Sequence, residues 1–386
     1  MPSGKLLIIA GESSGELYGS LLARQLKRDF QLFGIGGKHM KEAGVELIGD
    51  ITHAFGIFEV LSHLGKIKAN MKVAEGFLRK VDGVVLIDFP DFNLKLAAKA
   101  KALGKKVLYY VSPQIWAWRK GRIRLIKKFV DQMAVILPFE ETIYREAQIP
   151  VKYVGHPMYE LLHEELGNRG VFFRGFIGDE DKKILRERFG IEREVVLTLM
   201  PGSRPSEIKR NMPFMFKLIN QFDRERIHFI IPKAPNIEFS DEEKSKFKEH
   251  ENITILNEQA FTALAMSDAA VITSGTSTLQ AALLQIPMIV IYRVNPLSYV
   301  IGKILIKGVK HISLPNVIAD FMNEGDRRLP EFIQKLDVYE IAEEINKLLY
   351  DSYERMQIIS FLKSISRYFH GKEASKEVYS LCKQLF

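Results

Sequence analysis

The sequence predicts an α/β protein with two Rossmann-like, doubly wound parallel-sheet domains facing a cleft. Three observations carry this. Apolar runs of strand length alternate with helix-length segments in both halves. Those runs are apolar on both faces, as strands of a parallel sheet covered by helices must be. One run in each half, 6–10 and 195–200, stops in a loop of small residues and then turns helical. The loops are Gly11-Glu12-Ser13-Ser14-Gly15 and Pro201-Gly202-Ser203-Arg204. A strand that ends this way offers backbone N–H groups to an anion.

In order along the chain, strands are expected at 5–10, 31–35, 83–88, 106–111, 132–137 and 151–154. Helices are expected between them at 15–29, 55–80, 91–103, 121–128 and 140–147. The rhythm breaks at 166–180, which is rich in glycine, phenylalanine and mixed charge and reads as a linker or insertion. Strands resume at 194–200, 227–231, 253–256, 269–272 and 288–292, with helices at 206–222, 258–266, 276–284 and 297–307. The end reads as helix only. The expected domains are therefore 1–165 and 166–338, with helices over 339–386 packing back on the first.

A length of 386 residues and 47% hydrophobic content support two cores. The net charge of +8 favours an anionic partner: a phosphate-bearing substrate, an acidic membrane or a nucleic acid. The single cysteine, Cys382, allows no intrachain disulfide and fits a reducing compartment. The first residues lack the pattern of a signal peptide and no apolar run reaches spanning length, so a cytoplasmic location is expected.

Several chemistries are disfavoured. Gly34-Ile35-Gly36-Gly37 fails as a dinucleotide loop because His39 stands where the third glycine belongs. There is no P-loop, no H-E-x-x-H and no G-x-S-x-G. The histidines are scattered, so no metal is expected, and His156 reads as a loop residue.

Four segments read as candidate sites. Gly202-Ser203-Arg204 precedes a helix, and its arginine can fork onto phosphate oxygens, although Ser206 and Glu207 also make an ordinary helix start. Ser274-Gly275-Thr276-Ser277-Thr278 is a second hydroxyl-rich helix start suited to phosphate or ribose. Asp88-Phe89-Pro90-Asp91-Phe92-Asn93 places carboxylates at a strand end. There Asp91 could accept a proton from an attacking hydroxyl or simply cap a helix. Ser112-Pro113-Gln114-Ile115-Trp116-Ala117-Trp118-Arg119 sets aromatics beside a basic run, a pattern for stacking on sugars or bases and for holding phosphate. The apolar, lysine-flanked stretch 55–68 reads as core, or as an acyl-chain or membrane contact.

These segments, in order over nearly the whole chain, resemble the lipid-A-disaccharide synthase family of GT-B glycosyltransferases. The resemblance also covers Tyr153-Val154-Gly155-His156-Pro157, Leu314-Pro315-Asn316 and Pro330-Glu331-Phe332, and its most specific part is 112–119. It implies metal-free, inverting transfer of 2,3-diacylglucosamine from UDP to the 6-hydroxyl of 2,3-diacylglucosamine 1-phosphate (lipid X), giving a β-1,6 disaccharide. On the second domain Gly202, Ser203, Arg204 and the helix start Gly275, Thr276, Ser277 and Thr278 would hold the diphosphate. Glu207, Gln280 and Asn316 would meet uridine, ribose or donor sugar. Asp91 would be the candidate base, and Arg204 would assist departure of UDP. Gly11, Ser14, Glu16, Asn93, Gln114, Trp116 and Arg119 would line the acceptor side. Gln280 stands where related transferases commonly carry Glu, and Glu16 where the family usually shows Asp. Segments 166–180 and 320–326 look longer than typical.

Expected partners are UDP-2,3-diacylglucosamine, lipid X, the anionic inner face of the cytoplasmic membrane and a second copy of the chain, with no cofactor. Another UDP-sugar enzyme of the same architecture, a peptidoglycan-precursor transferase or an epimerase, is the alternative; a nucleic-acid-binding protein is a distant one.

Overall fold

The computed structural model describes residues 4–50, 57–235, 237–296, 299 and 308–386, with the side chains of 57–64 outside the description. They form two compact units, Met1–Glu160 with Gly371–Phe386 and Leu161–His370.

The first unit is built on seven parallel strands: β1 (Gly4–Ala10), β2 (Phe30–Gly36), β3 (Glu46–Asp50), β4 (Gly83–Ile87), β5 (Lys106–Tyr110), β6 (Gln132–Val135) and β7 (Val151–Tyr153). Their order is β3-β2-β1-β4-β5-β6-β7. Helices α1 (Ser13–Leu26), α2 (Lys38–Glu42), α3 (Ile57–Phe77), α4 (Pro90–Ala102), α5 (Arg122–Phe129) and α6 (Glu140–Glu146) alternate with them. Leu6 to Ala10 on β1 are wholly buried, which is why that run carries no alternation of polar and apolar residues. Leu7, Ile9, Val84, Leu86, Val107 and Tyr109 belong to one hydrophobic core. Strand order reverses between β1 and β4, which makes the carboxyl ends of these two strands the switch point of the sheet, where a ligand is expected to sit.

The second unit repeats the plan with β8 (Val195–Met200), β9 (Ile227–Lys233), β10 (Ile253–Asn257), β11 (Ala269–Thr273), β12 (Met288–Tyr292) and β13 (Glu331–Ile333), ordered β10-β9-β8-β11-β12-β13. Its reversal lies between β8 and β11. Its helices are α8 (Asp179–Arg188), α9 (Pro205–Ile219), α10 (Asp241–Lys248), α11 (Ala260–Ala265), α12 (Ser277–Leu283) and α13 (Leu314–Met322). Helix α7 (Met158–Gly167) runs across the boundary residues, and α8 begins inside the stretch expected to be a linker.

The C-terminal helices divide between the units instead of all joining the first, as expected from the sequence. Helix α14 (Val338–Tyr350) packs on α9 and β12, and α15 (Ser352–Ser366) packs on α12 and α13. Only α16 (Ala374–Leu385) packs on α1 and β5. The reason is local: α14 buries an apolar face, Ile341, Ala342, Ile345 and Leu348, and packs on α9 and on β11 and β12 of the second sheet. The helix expected at 297–307 lies outside the described residues. Among the described residues, no helix is long and apolar enough to cross a membrane.

Candidate active site

In the first unit the loops after β1 and β4 meet at the strand-order reversal. Gly11 lies against the Phe89 ring so closely that a Cβ on it would sit 2.3 Å from that ring. Only glycine fits there. Asp88 and Phe89 both take left-handed backbone, with φ of 46° and 45°, immediately before Pro90 at the start of α4. Such residues cost energy unless the surroundings hold them. Here Asn93 donates from Nδ2 to the carbonyls of Ile87 (3.1 Å) and Asp88 (2.7 Å), and the Tyr109 hydroxyl donates to the Asp88 carbonyl at 2.6 Å. Asn93, expected to face the acceptor, is wholly buried and braces this turn.

Asp88 itself is the carboxylate that sequence reasoning passed over. It terminates β4, is half-buried, and burial pushes its carboxyl up to about 6, against the opposing effects of the Phe89 N–H and the Arg122 charge. Asp91 is placed differently. Its side chain is 69% exposed and accepts from Arg119 Nη1 on both oxygens (2.9 and 3.1 Å) and from Arg122 Nη2 (2.5 Å). A carboxylate engaged by two guanidiniums anchors both arginines.

The 112–119 segment contributes both faces and core. Gln114 and Arg119 are exposed. Trp116, expected on the acceptor side, is 8% exposed; its indole N–H donates to Glu140 at 3.1 Å, and its ring meets Phe139 edge-on. The buried Glu140 carboxylate at the start of α6 also accepts from Ser112 Oγ (2.6 Å) and Leu137 N (3.2 Å). Burial pushes Glu140 up to about 7 while these donors pull it down. A tryptophan in a proline loop is thus turned inward because a buried acceptor waits for its N–H. Glu140→Ala strands three donors at once. It should cost about 3 kcal/mol or more, read as a lowered urea midpoint.

Two more expected residues are internal. The Glu16 carboxylate accepts from His39 N (2.7 Å) and Met40 N (3.2 Å), capping α2. His156 is buried, burial pushes it down to about 3, and its Nδ1 accepts from Met158 N at 3.2 Å. Ser14 remains half-exposed at the start of α1.

In the second unit the loops after β8 and β11 come together in the same way. Asn211 Nδ2 donates to the Pro201 carbonyl (2.8 Å) and to Thr273 Oγ1 (3.1 Å), tying one loop to the other. Gly202 has φ of 127°, and a Cβ on it would lie 2.5 Å from the Glu207 side chain. That side chain closes the loop, accepting from Ser203 N at 3.0 Å, and its other oxygen lies 3.6 Å from Arg204 Nη1. Ser203 and Arg204 are exposed beyond it, at the start of α9 with Pro205 in its first turn. Across from them Gly275 and Thr276 are exposed, and Ser277 and Gln280 are half-exposed. Thr278 is buried and donates to the Gly275 carbonyl at 2.8 Å. Asn316 is buried too, bonded to the Leu329 backbone and to Glu331. Glu207, Thr278 and Asn316 therefore shape the loops from behind.

Among the described residues, no group of His, Cys, Asp and Glu is arranged to hold a metal ion. Positive charge and N–H groups at α9 and at 275–277 are what this edge offers an anion.

The family model for lipid-A-disaccharide synthetase matches residues 6–381. The lipid-A-disaccharide synthase of Geobacter sulfurreducens is 39% identical over 360 residues, covering 90% of this chain and 88% of that protein. Among solved structures, the Neisseria meningitidis UDP-GlcNAc 2-epimerase bound to UDP-GlcNAc superposes with a TM-score of 0.64 at 13% identity, covering 98% and 100% of the two chains. The calicheamicin glycosyltransferase CalG4 superposes with a TM-score of 0.61 at 12% identity, covering 100% and 98%. At such identities the structures speak for the GT-B class of two parallel-sheet α/β domains.

Proposed function

The chain belongs to the lipid-A-disaccharide synthetase family and is a glycosyltransferase of lipid A disaccharide formation, and on that premise we propose which residues do the work. The second unit takes UDP-2,3-diacylglucosamine. Arg204, Ser203, Gly202 and the exposed backbone of Gly275 to Ser277 hold its diphosphate, and Gln280 meets ribose or uridine. The first unit takes 2,3-diacylglucosamine 1-phosphate at the crevice beside Ser14, Asp88, Gln114 and Arg119. The observation that carries the acceptor assignment is the raised, half-buried Asp88 at the β1/β4 reversal.

The reaction follows from these groups. The acceptor 6-oxygen attacks the anomeric carbon opposite UDP, and the new C–O bond forms as the bond to the diphosphate breaks. The hydroxyl proton passes to the Asp88 carboxylate, and the electron pair leaves on UDP, whose growing charge meets Arg204 and the helix starts. Asp88 replaces Asp91 in the role of base; Asp91 holds Arg119 and Arg122. The charge of +8 supports work at an anionic inner-membrane surface, where acylated substrates reside.

Incubation with UDP-2,3-diacylglucosamine and lipid X, followed by mass spectrometry, should give the disaccharide 1-phosphate and UDP. Equal use of non-acylated UDP-GlcNAc without an acceptor would instead support an epimerase and remove this reading.

A further inference from the structure

Arg119 is held in a way its own fold does not require. Its backbone is left-handed, with φ of 50°, in a residue that is not glycine. The exposed ion pair it makes with Asp91 is too weakly stabilising to account for that strain. Its guanidinium lies over the Trp118 ring at 4.6 Å, and that of Arg122 lies 5.2 Å from the same ring. Asp91 engages only Nη1 of Arg119. Nε and Nη2 have no further polar partner among the described residues, so one edge of a fixed fork is left to a ligand. Lys120 and Arg124 are exposed beside it. Counting Asp91 against Arg119, Lys120, Arg122 and Arg124, the cluster is strongly cationic.

The cluster also adjoins Asp88, the base of the reading above. Arg122 bonds Asp91 and acts electrostatically on Asp88, so Asp88, Arg122, Asp91 and Arg119 form one chain of neighbours. We propose that Arg119, stacked on Trp118 and set by Asp91, is the receptor for the phosphate monoester of the acceptor sugar, with Arg122 and Lys120 adding charge. The proposal rests on the acceptor reading above and makes it specific. The phosphate fixes one end of the hexosamine, and the 6-hydroxyl at the other end is thereby aimed at Asp88. The stack on Trp118 keeps the guanidinium plane from turning, so the fork needs little reordering when the phosphate arrives.

The test uses Arg119→Gly, because glycine takes this backbone conformation freely and the variant should stay folded. Arg119→Lys keeps the charge and loses the fork. Transfer is measured with 2,3-diacylglucosamine 1-phosphate and with the same lipid lacking its phosphate. Binding of each lipid is followed separately by tryptophan fluorescence. We expect Arg119→Gly to lower kcat/KM on the phosphorylated acceptor by about tenfold to a hundredfold, chiefly through KM, with Arg119→Lys between it and wild type. On the dephosphorylated acceptor the change should stay within about threefold. Equal losses on both acceptors, or no loss on either, would overturn the phosphate site. Phosphate-dependent binding that needs Arg119, in a wild-type protein that forms no disaccharide, would support the site and remove the reaction assigned above.

Discussion

Asp88→Asn should abolish nearly all turnover, by about 10²–10⁴-fold, while the protein stays folded. Asparagine keeps the shape of the side chain at the β4 end and removes only its ability to take a proton. The pH dependence sharpens the expectation. A base must be ionised to act, and burial holds Asp88 protonated until about 6. Wild-type kcat/KM should therefore rise about tenfold per pH unit below 6 and level off above it, and the residual activity of Asp88→Asn should lack that limb. Stability should move the other way. A carboxyl whose folded pKa is raised contributes stability that is complete at low pH and lost as pH rises through the folded value, because ionisation is then opposed by burial. At pH 8 the ionised Asp88 is a cost to the fold, so the variant should unfold at the same urea concentration as wild type or higher. An Asp88→Asn protein with more than about a tenth of wild-type turnover would return the role of base to another group.

Why the sequence pointed to Asp91 instead is instructive. Both carboxylates stand at the end of one strand, and the family resemblance singled out Asp91. What separates the two is burial of Asp88 by a turn in which Asp88 and Phe89 both adopt positive φ, and no pattern in Ile87-Asp88-Phe89-Pro90 announces that pair. Trp116 shows the same limit. Its neighbours are loop-formers, so its exposure followed from composition. Its burial depends on Glu140, a residue brought to it by β6 and invisible at sequence distance. By contrast, the buried strands could be read from their unbroken apolar runs, because a strand covered on both faces has no polar side to hide. The strands missed, β3 and β13, are partly exposed and short, with three residues in β13, so neither presents such a run. The order of strands, and with it the two reversals that place the loops after β1, β4, β8 and β11, is a property of the packed sheets and of no segment alone.

Arg204→Ala should cost two to three decades in kcat, the loss usually seen when one preorganised group facing developing charge is removed. The side chain is 46% exposed and its contact with Glu207 spans 3.6 Å on the surface, so stability should change by about 0.5 kcal/mol or less. The loss must therefore be chemical. UDP leaves with more charge on its diphosphate than it carries while bound to the sugar, so in the role proposed for it Arg204 would interact more strongly with the leaving group than with the substrate. Turnover should fall further than donor affinity, which separates this role from mere binding: KM for the donor should rise only a few-fold while kcat collapses. Arg204→Lys should recover part of the rate, since a point charge remains but the two-pronged contact does not. The backbone supplies the rest. Ser203 N is already spent on Glu207, so the N–H groups left to the diphosphate are those at the starts of α9 and α12, and these survive in the alanine variant. That is why activity should be reduced and not eliminated. If Arg204→Ala turned over at near the wild-type rate, Arg204 would have no part in stabilising departing UDP, and that work would fall to the helix starts or to another group.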